Sequence, residues 1–325
     1  MRVALFANDA FGSYVFDAVR DAPCELVCAV GETASGKGRA IRKLRALRRR
    51  PSRLFDMIRA RLSPEPTPPR EPSRSPAAGL PPVHERCAAW GIPFFEDYRL
   101  AQPAFAGVLA GFDLDLILVT TFGAILRPHI LAVPRRGTVN FHFALLPKYR
   151  GLTPELCCLL DGARETGVTA HFIDEGVDTG PIIKQARVTV GDRDDFAALQ
   201  QALYPTGRAL VAEVLEAFAA GSVTATPQDE SAASLCRLPS GFQSISTTDT
   251  PGARIHNVLR ACLGTRFPPY LEPGPGQSHR TYLLDAEFVH GTDAVVPDAR
   301  RAIRCRDGVL LARRTWDQGG GLATY

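Results

Sequence analysis

The chain has 325 residues, 45% of them hydrophobic and 22% charged, with a formal net charge of +4. That length suffices for a large core and predicts two domains, and the composition is that of an ordinary soluble globular protein. No apolar run approaches the roughly 18–20 residues of a membrane span, and the apolar part of Met1–Asn8 is too short for a signal peptide, so no membrane span is expected and a cytoplasmic setting is.

The charge is unevenly distributed. Between Ala34 and Pro76 there are thirteen Lys or Arg against three Asp or Glu, which leaves 25 basic and 31 acidic residues for the remainder of the chain. The basic character therefore belongs to one segment. The eight cysteines form no C-x-x-C pairs. In a reducing compartment they are expected to be small core residues, with neither a structural disulfide nor a metal site.

In chain order, Arg2–Phe6 and Glu25–Val30 are β-rich runs around a helical pattern from Gly12 to Arg20, the strand–helix–strand opening of a parallel α/β sheet. The intervening turn, Asn8 to Ser13, lacks the G-x-G-x-x-G spacing of a dinucleotide site, which disfavours a nicotinamide-dependent dehydrogenase. From about 34 to 82 a basic, then Pro-rich, segment reads as an insertion: solvated helices and a tether, or a docking surface for an anionic partner. The sheet resumes with a helix at His84–Trp90 and a nearly continuous apolar strand at Leu114–Thr120, of the kind buried on both faces. Gly137–His142 is a further strand, and Thr153-Pro154-Glu155 opens a helix with a cap and a first-turn Pro. Two strands, Gly167–Phe172 and Pro181–Val190, flank a Gly-rich corner. A long helix follows at Phe196–Ala219, then a linker near Gly221–Asp229, a helix at Pro251–Cys262 and short strands. The expected architecture is α/β: a Rossmann-like open, mostly parallel sheet in residues 1–221, and a smaller β-rich C-terminal domain in residues 222–325.

Asn140 and His142 alternate on one strand, so both side chains leave the same face at its carboxyl end, where open α/β sheets place their sites. Asp178 lies in the acidic, Gly-rich corner Asp174–Pro181. An amide, an imidazole and a carboxylate suit acyl transfer: the first two stabilise an oxyanion, and the third orients the imidazole and relays a proton. No Ser or Cys nucleophile accompanies them, which favours direct transfer. Taken singly, each group has a bland reading as a satisfied structural polar group or an ordinary turn.

The run Asn140-Phe141-His142-Phe143-Ala144-Leu145-Leu146-Pro147-Lys148-Tyr149-Arg150-Gly151 closely resembles the N-x-H-x-S-L-L-P-x-x-R-G signature of the folate-dependent formyltransferases. Gly167–Phe172 and Val177–Ile183 resemble that family's second block. The resemblance implies a formyltransferase fold, 10-formyltetrahydrofolate as formyl donor, and Asn140, His142 and Asp178 as catalytic residues. It also implies a pterin slot between Phe122, Gly123, Ile125 and Leu126 on one side and Ile173, Asp174 and Gly176 on the other, with Arg150 and Gly151 shaping the adjacent loop. Ala144 stands where the family has Ser, Ser244–Thr247 lacks an acidic-aromatic pair common in the family, and the basic insertion is extra. Residues 227–325 carry eleven Arg against ten Asp or Glu. That near balance favours a small-molecule amine acceptor, such as an amino sugar nucleotide or a biosynthetic amino-acid intermediate, over tRNA. A non-catalytic folate-binding protein is the reading from another class.

Overall fold

The computed structural model describes residues 1–8, 10–32, 68, 74–273, 279–291, 301–317 and 321–324. Most of the basic, Pro-rich insertion lies outside them.

Seven strands form the first sheet: β1 (Arg2–Ala7), β2 (Glu25–Gly31), β3 (Phe94–Glu96), β4 (Leu116–Thr120), β5 (Thr138–His142), β6 (Glu165–Phe172) and β7 (Ile182–Thr189). Their spatial order is β3-β2-β1-β4-β5-β6-β7. The first five run parallel, and β6 and β7 join antiparallel. The sheet is thus Rossmann-like and mostly parallel, as expected, with an antiparallel edge beyond β5. The period of two in strand side chains shows directly in the two apolar layers: Val3, Leu5, Leu116 and Leu118 bury into one, and Ala4, Phe6, Ile117 and Val119 into the other.

Helices α1 (Ala10–Asp21) and α2 (Val83–Ala89) pack together on the first of these layers. Phe105 and Leu109 of α3 (Ala104–Ala110) and Ile130 of α4 (Pro128–Leu131) pack on the other. Helix α5 (Pro154–Leu160) follows β5, and α6 (Phe196–Ala220) crosses β6 and β7. Asp195 caps α6 by accepting from the Ala198 N–H, and Gly221 ends it in the left-handed region at φ +68°. The start of α5 differs from its sequence reading. Pro154 does occupy the first turn, but Thr153 sits at φ +54° and its hydroxyl donates to the Leu152 carbonyl, so it caps nothing.

The second, antiparallel-dominated sheet holds β8 (Ser244–Ile245), β9 (Tyr270–Leu271), β10 (Thr281–His290), β11 (Arg301–Cys305), β12 (Gly308–Asp317) and β13 (Gly321–Thr324). It is joined to the first by α7 (Gly252–Cys262), whose Ile255, Val258 and Leu259 share one continuous apolar core with Leu156, Leu159 and Leu160 of α5. Arg254 and Asn257 both donate to the Leu160 carbonyl at that junction.

Two expectations are corrected. The last residues of the Pro-rich stretch are not a free tether: Ala77 is buried in the core, Arg74 pairs with Asp195, and the Arg74 carbonyl accepts from Gln201. The cysteines are not all reduced core thiols, because Cys157 of α5 is bonded to Cys236, 79 residues on. Sequence spacing gave no sign of that pair because the fold alone brings it together. The other six are free. Closing so long a loop stabilises a fold by about 2–4 kcal/mol. Reduction is therefore expected to lower the melting temperature by several degrees. A thiol titration of the unreduced, denatured chain should count six groups; eight would refute the bond.

Candidate active site

Strand β5 lies between β4 and β6, with Asn140 paired to Val119 on one side and directly opposite His171 on the other. Its alternation sends Asn140 and His142 to the same face. The β6–β7 corner then folds back over the strand end, held by the Phe172 N–H on the Pro181 carbonyl at 3.0 Å. Asp174 shapes the corner as an Asx turn, accepting from the Gly176 N–H at 3.0 Å and the Thr179 hydroxyl at 2.6 Å. A Cβ at Gly180 would collide with the Phe172 carbonyl, so only glycine lets the corner close. Asp178, at φ +52°, is one of four non-glycine residues around the site in the left-handed region, with Thr121, Tyr149 and Thr153.

The structure brings Asn140, His142 and Asp178 together. His142 Nε2 lies 2.8 Å from the Tyr149 carbonyl, which can only accept, so Nε2 carries the proton of the neutral ring. Its Nδ1 is then an open acceptor, 3.6 Å from Asp178 Oδ2. Asp178 Oδ2 also receives the Gly151 N–H at 2.8 Å. Asn140 Nδ2 reaches two partners, His171 Nε2 at 3.1 Å and Asp178 Oδ1 at 3.3 Å. His171 Nδ1 donates to the Phe172 carbonyl at 2.8 Å, which leaves Nε2 as an acceptor from Asn140 when the ring is neutral. Protonated, the same nitrogen would face Asp178 Oδ1, 3.5 Å away.

Burial pushes the His142 imidazole below its ordinary value of 6.5, against the opposing pull of the Asp178 carboxylate. Burial acts to raise Asp178, but His171, the His142 ring and the Gly151 N–H outweigh it and hold the carboxyl at about 2. At neutral pH the pair is thus a neutral imidazole beside a carboxylate. Both shifts are downward, so over each window the unfolded chain binds more protons and stability rises with pH. The stability due to His142 is present above 6.5 and is lost as pH falls through its lower folded value. That due to Asp178 is lost between 3.8 and about 2. The melting temperature should therefore decline below pH 6.5. Because burial also lowers His256, a His142→Asn chain should lose part of that decline. A melting temperature that rises from pH 7 to 5.5 would contradict the assignment.

These groups open into a cavity of about 2090 Å³. Phe122, Gly123, Ile125, Leu126, Ile173, Asp174 and Gly176 all line it beside Asn140, His142, His171 and Asp178, and β10, β12 and α7 form another wall. Among the described residues no group of His, Cys, Asp or Glu could hold a metal ion, and no helix is long and apolar enough to cross a membrane.

Residues 2–215 match the family model described as Formyl transferase. The chain belongs to the formyl transferase family. It is 31% identical over 232 residues to the methionyl-tRNA formyltransferase of Pelobacter propionicus, covering 71% of this chain and 73% of that one. The methionyl-tRNA formyltransferase of a Roseiflexus species is 36% identical over 194 residues, a match spanning only 60% of each chain. Among solved structures, an N-formyltransferase from Helicobacter canadensis, in complex with folinic acid and dTDP-3-aminofucose, shares the fold over 96% of this chain and 98% of its own, at a TM-score of 0.63 and 14% identity. Membership of the formyl transferase family agrees with the resemblance carried by Asn140–Gly151.

One member of the constellation escaped the sequence reading. His171 was visible only as part of a resembling block, because its place opposite Asn140 depends on the antiparallel pairing of β5 and β6. Arg150 does not face the cavity. It is buried and turned to Gln228 and Glu230, far along the chain.

Proposed function

We propose that the chain is a 10-formyltetrahydrofolate-dependent N-formyltransferase acting on the amine of a small molecule, an amino sugar nucleotide or a biosynthetic amino-acid intermediate. On this reading residues 1–221 hold the donor and carry the chemistry, and residues 222–325 face the acceptor.

The donor fits the residues present. Ile125 and Val177 are 89% and 59% exposed and offer apolar surface to the flat faces of a pterin, while Asp174 and loop backbone groups supply polar contacts. A Cβ at Gly123 would meet no protein atom, so the backbone there is open to close approach. Bound, the donor supplies an activated formyl group. The cavity exceeds the roughly 300–1,000 Å³ of a single small-ligand site, which leaves room for a second substrate.

The protein's own groups then have distinct tasks. As the amine nitrogen bonds to the formyl carbon, His142 Nδ1, unprotonated and facing a carboxylate, takes the amine's proton, and Asp178 stabilises the resulting imidazolium. The proton then goes to the carrier nitrogen as its bond to the formyl carbon breaks. Asn140 donates an amide N–H to the formyl oxygen, giving up its longer bond to Asp178 in exchange.

The observation that carries the acceptor class is the charge pairing of the second sheet's wall. Arg313 bridges Asp285 and Glu287 at 3.4 and 3.3 Å, and all three line the cavity. A wall whose charges pair off in this way offers little net positive charge to a long polyanion such as tRNA. A second reading, methionyl-tRNA as acceptor, is favoured by the names of the sequence relatives. Against it stands the near balance of eleven Arg and ten Asp or Glu over residues 227–325. The test is to incubate the protein with 10-formyltetrahydrofolate and a panel of amino sugars, amino acids and charged initiator tRNA, and to look for an acceptor heavier by one CO unit. Formylation of a small amine, with little dependence on salt, supports the first reading. Formylation of tRNA alone, with affinity falling by about 10³–10⁵ between 50 and 200 mM salt, supports the second.

A further inference from the structure

The orientation of the Asp178 carboxylate depends on a backbone that a non-glycine residue rarely adopts, at φ +52°. That corner is pinned by a residue that does not line the cavity. Gln228 Nε2 donates to the carbonyls of both Asp178 and Gly180, each at 2.8 Å. Its oxygen accepts from Arg150 Nε at 3.1 Å and from a terminal nitrogen of the same guanidinium at 2.8 Å. A guanidinium only donates, so Arg150 fixes which end of the amide faces the corner. Arg150 is itself buried and forms a two-pronged pair with Glu230 at 2.9 and 2.7 Å.

The segment bearing Gln228 is fastened at both ends. Thr226 and Ile182 exchange two backbone hydrogen bonds at 2.8 Å, at the start of β7. At the other end Ser234 and Cys236 bracket Arg150: the Arg150 N–H donates to the Ser234 carbonyl at 2.9 Å, and the Cys236 N–H donates to the Arg150 carbonyl at 2.8 Å. The Cys157–Cys236 disulfide closes the frame. Residues 226–236 thus form a strap that reaches Asp178 twice, through its carbonyl and, by way of Arg150 and its neighbour Gly151, through its carboxylate.

We propose that Gln228, oriented by Arg150, is a positioning residue for formyl transfer. It holds the Asp178 backbone so that the carboxylate stays against His142 Nδ1. The proposal rests on the reading of Asp178 as the carboxylate that supports His142.

The test uses the full chain with Gln228→Leu and Gln228→Glu. Leucine removes both donors, and glutamate keeps the shape while turning an acceptor toward two carbonyls. Small displacements of a reacting group cost about ten- to a hundredfold in rate, and that loss is expected in kcat. The KM for the formyl donor should stay within about threefold, because Gln228 touches nothing in the pterin slot. The acid limb of the kcat profile should move to lower pH, because the negative charge that raises His142 has shifted away. A residue that only stabilised the fold would lower the melting temperature and move neither the kcat-to-KM split nor the pH profile. Combined with Asp178→Asn, Gln228→Leu should add nothing further. Normal kcat in both folded Gln228 variants, with Asp178→Asn inactive, would overturn the positioning role alone. Wild-type activity in Asp178→Asn would overturn it together with the reading it rests on.

Discussion

Alanine at His142 is expected to lower kcat by about 10²–10³-fold, the loss seen when one preorganised group acting on a developing oxyanion or its proton is removed from a buried site. Asn140→Ala and Asp178→Ala should each cost about a hundredfold or more, through different atoms. The His142 variant loses the open Nδ1 acceptor. The Asp178 variant loses the charge that steadies the protonated ring, and also the partner of the Gly151 N–H. The Asn140 variant removes the amide that lies between His171 and Asp178. Because the three share one small hydrogen-bonded cluster, their effects should not add, and the triple variant should be little worse than the worst single one. The KM for the donor should change far less than kcat, since the pterin slot lies on other residues. Near-normal turnover in folded His142→Ala protein would remove His142 from the chemistry.

What the sequence disclosed about this site follows from the range of the interactions involved. Asn140 and His142 are two residues apart on one strand, and the period of the strand alone puts them on one face. The apolar run of β4 and the β-rich runs of β1 and β2 were legible for the same local reason. Asp178 entered as one acid in a Gly-rich corner whose carboxylate suits an imidazole chemically, and the family resemblance strengthened that pairing. Contacts between residues distant in the chain stayed hidden. His171 faces Asn140 only because β6 pairs antiparallel with β5. Gln228 lies 50 residues beyond the carbonyl it holds, in a stretch whose small and polar composition reads as a plain linker. Ala77 looked like the end of a tether because one apolar residue among Ser, Pro and Ala carries no period; its burial is decided by the core that surrounds it.

The same distinction between local backbone and distant partner separates two glycines at the site. Gly180 is required by the fold: a Cβ there meets the Phe172 carbonyl, so Gly180→Ala should destabilise the corner whether or not a ligand is present. Gly123 is different. An added Cβ has no protein atom within 4 Å and would project into open space in the cavity-lining loop. The loop keeps its anchor, because Phe122 packs against Phe6 with ring centroids 5.7 Å apart. Valine at 123 should therefore leave the circular dichroism spectrum and melting temperature near those of the parent while filling part of the proposed pterin slot. Extra methyl groups in a close-packed space cost about 1–3 kcal/mol, which corresponds to a loss of about five- to 150-fold in affinity for the formyl donor. The donor KM should rise by that factor, and kcat at saturating donor should fall much less, because the catalytic cluster is untouched. Isothermal titration with the non-reactive carrier tetrahydrofolate gives the same reading without turnover. Unchanged affinity in Gly123→Val would place the pterin elsewhere in the cavity, and a collapse of folding would mean that the loop is packed more tightly than its open face implies.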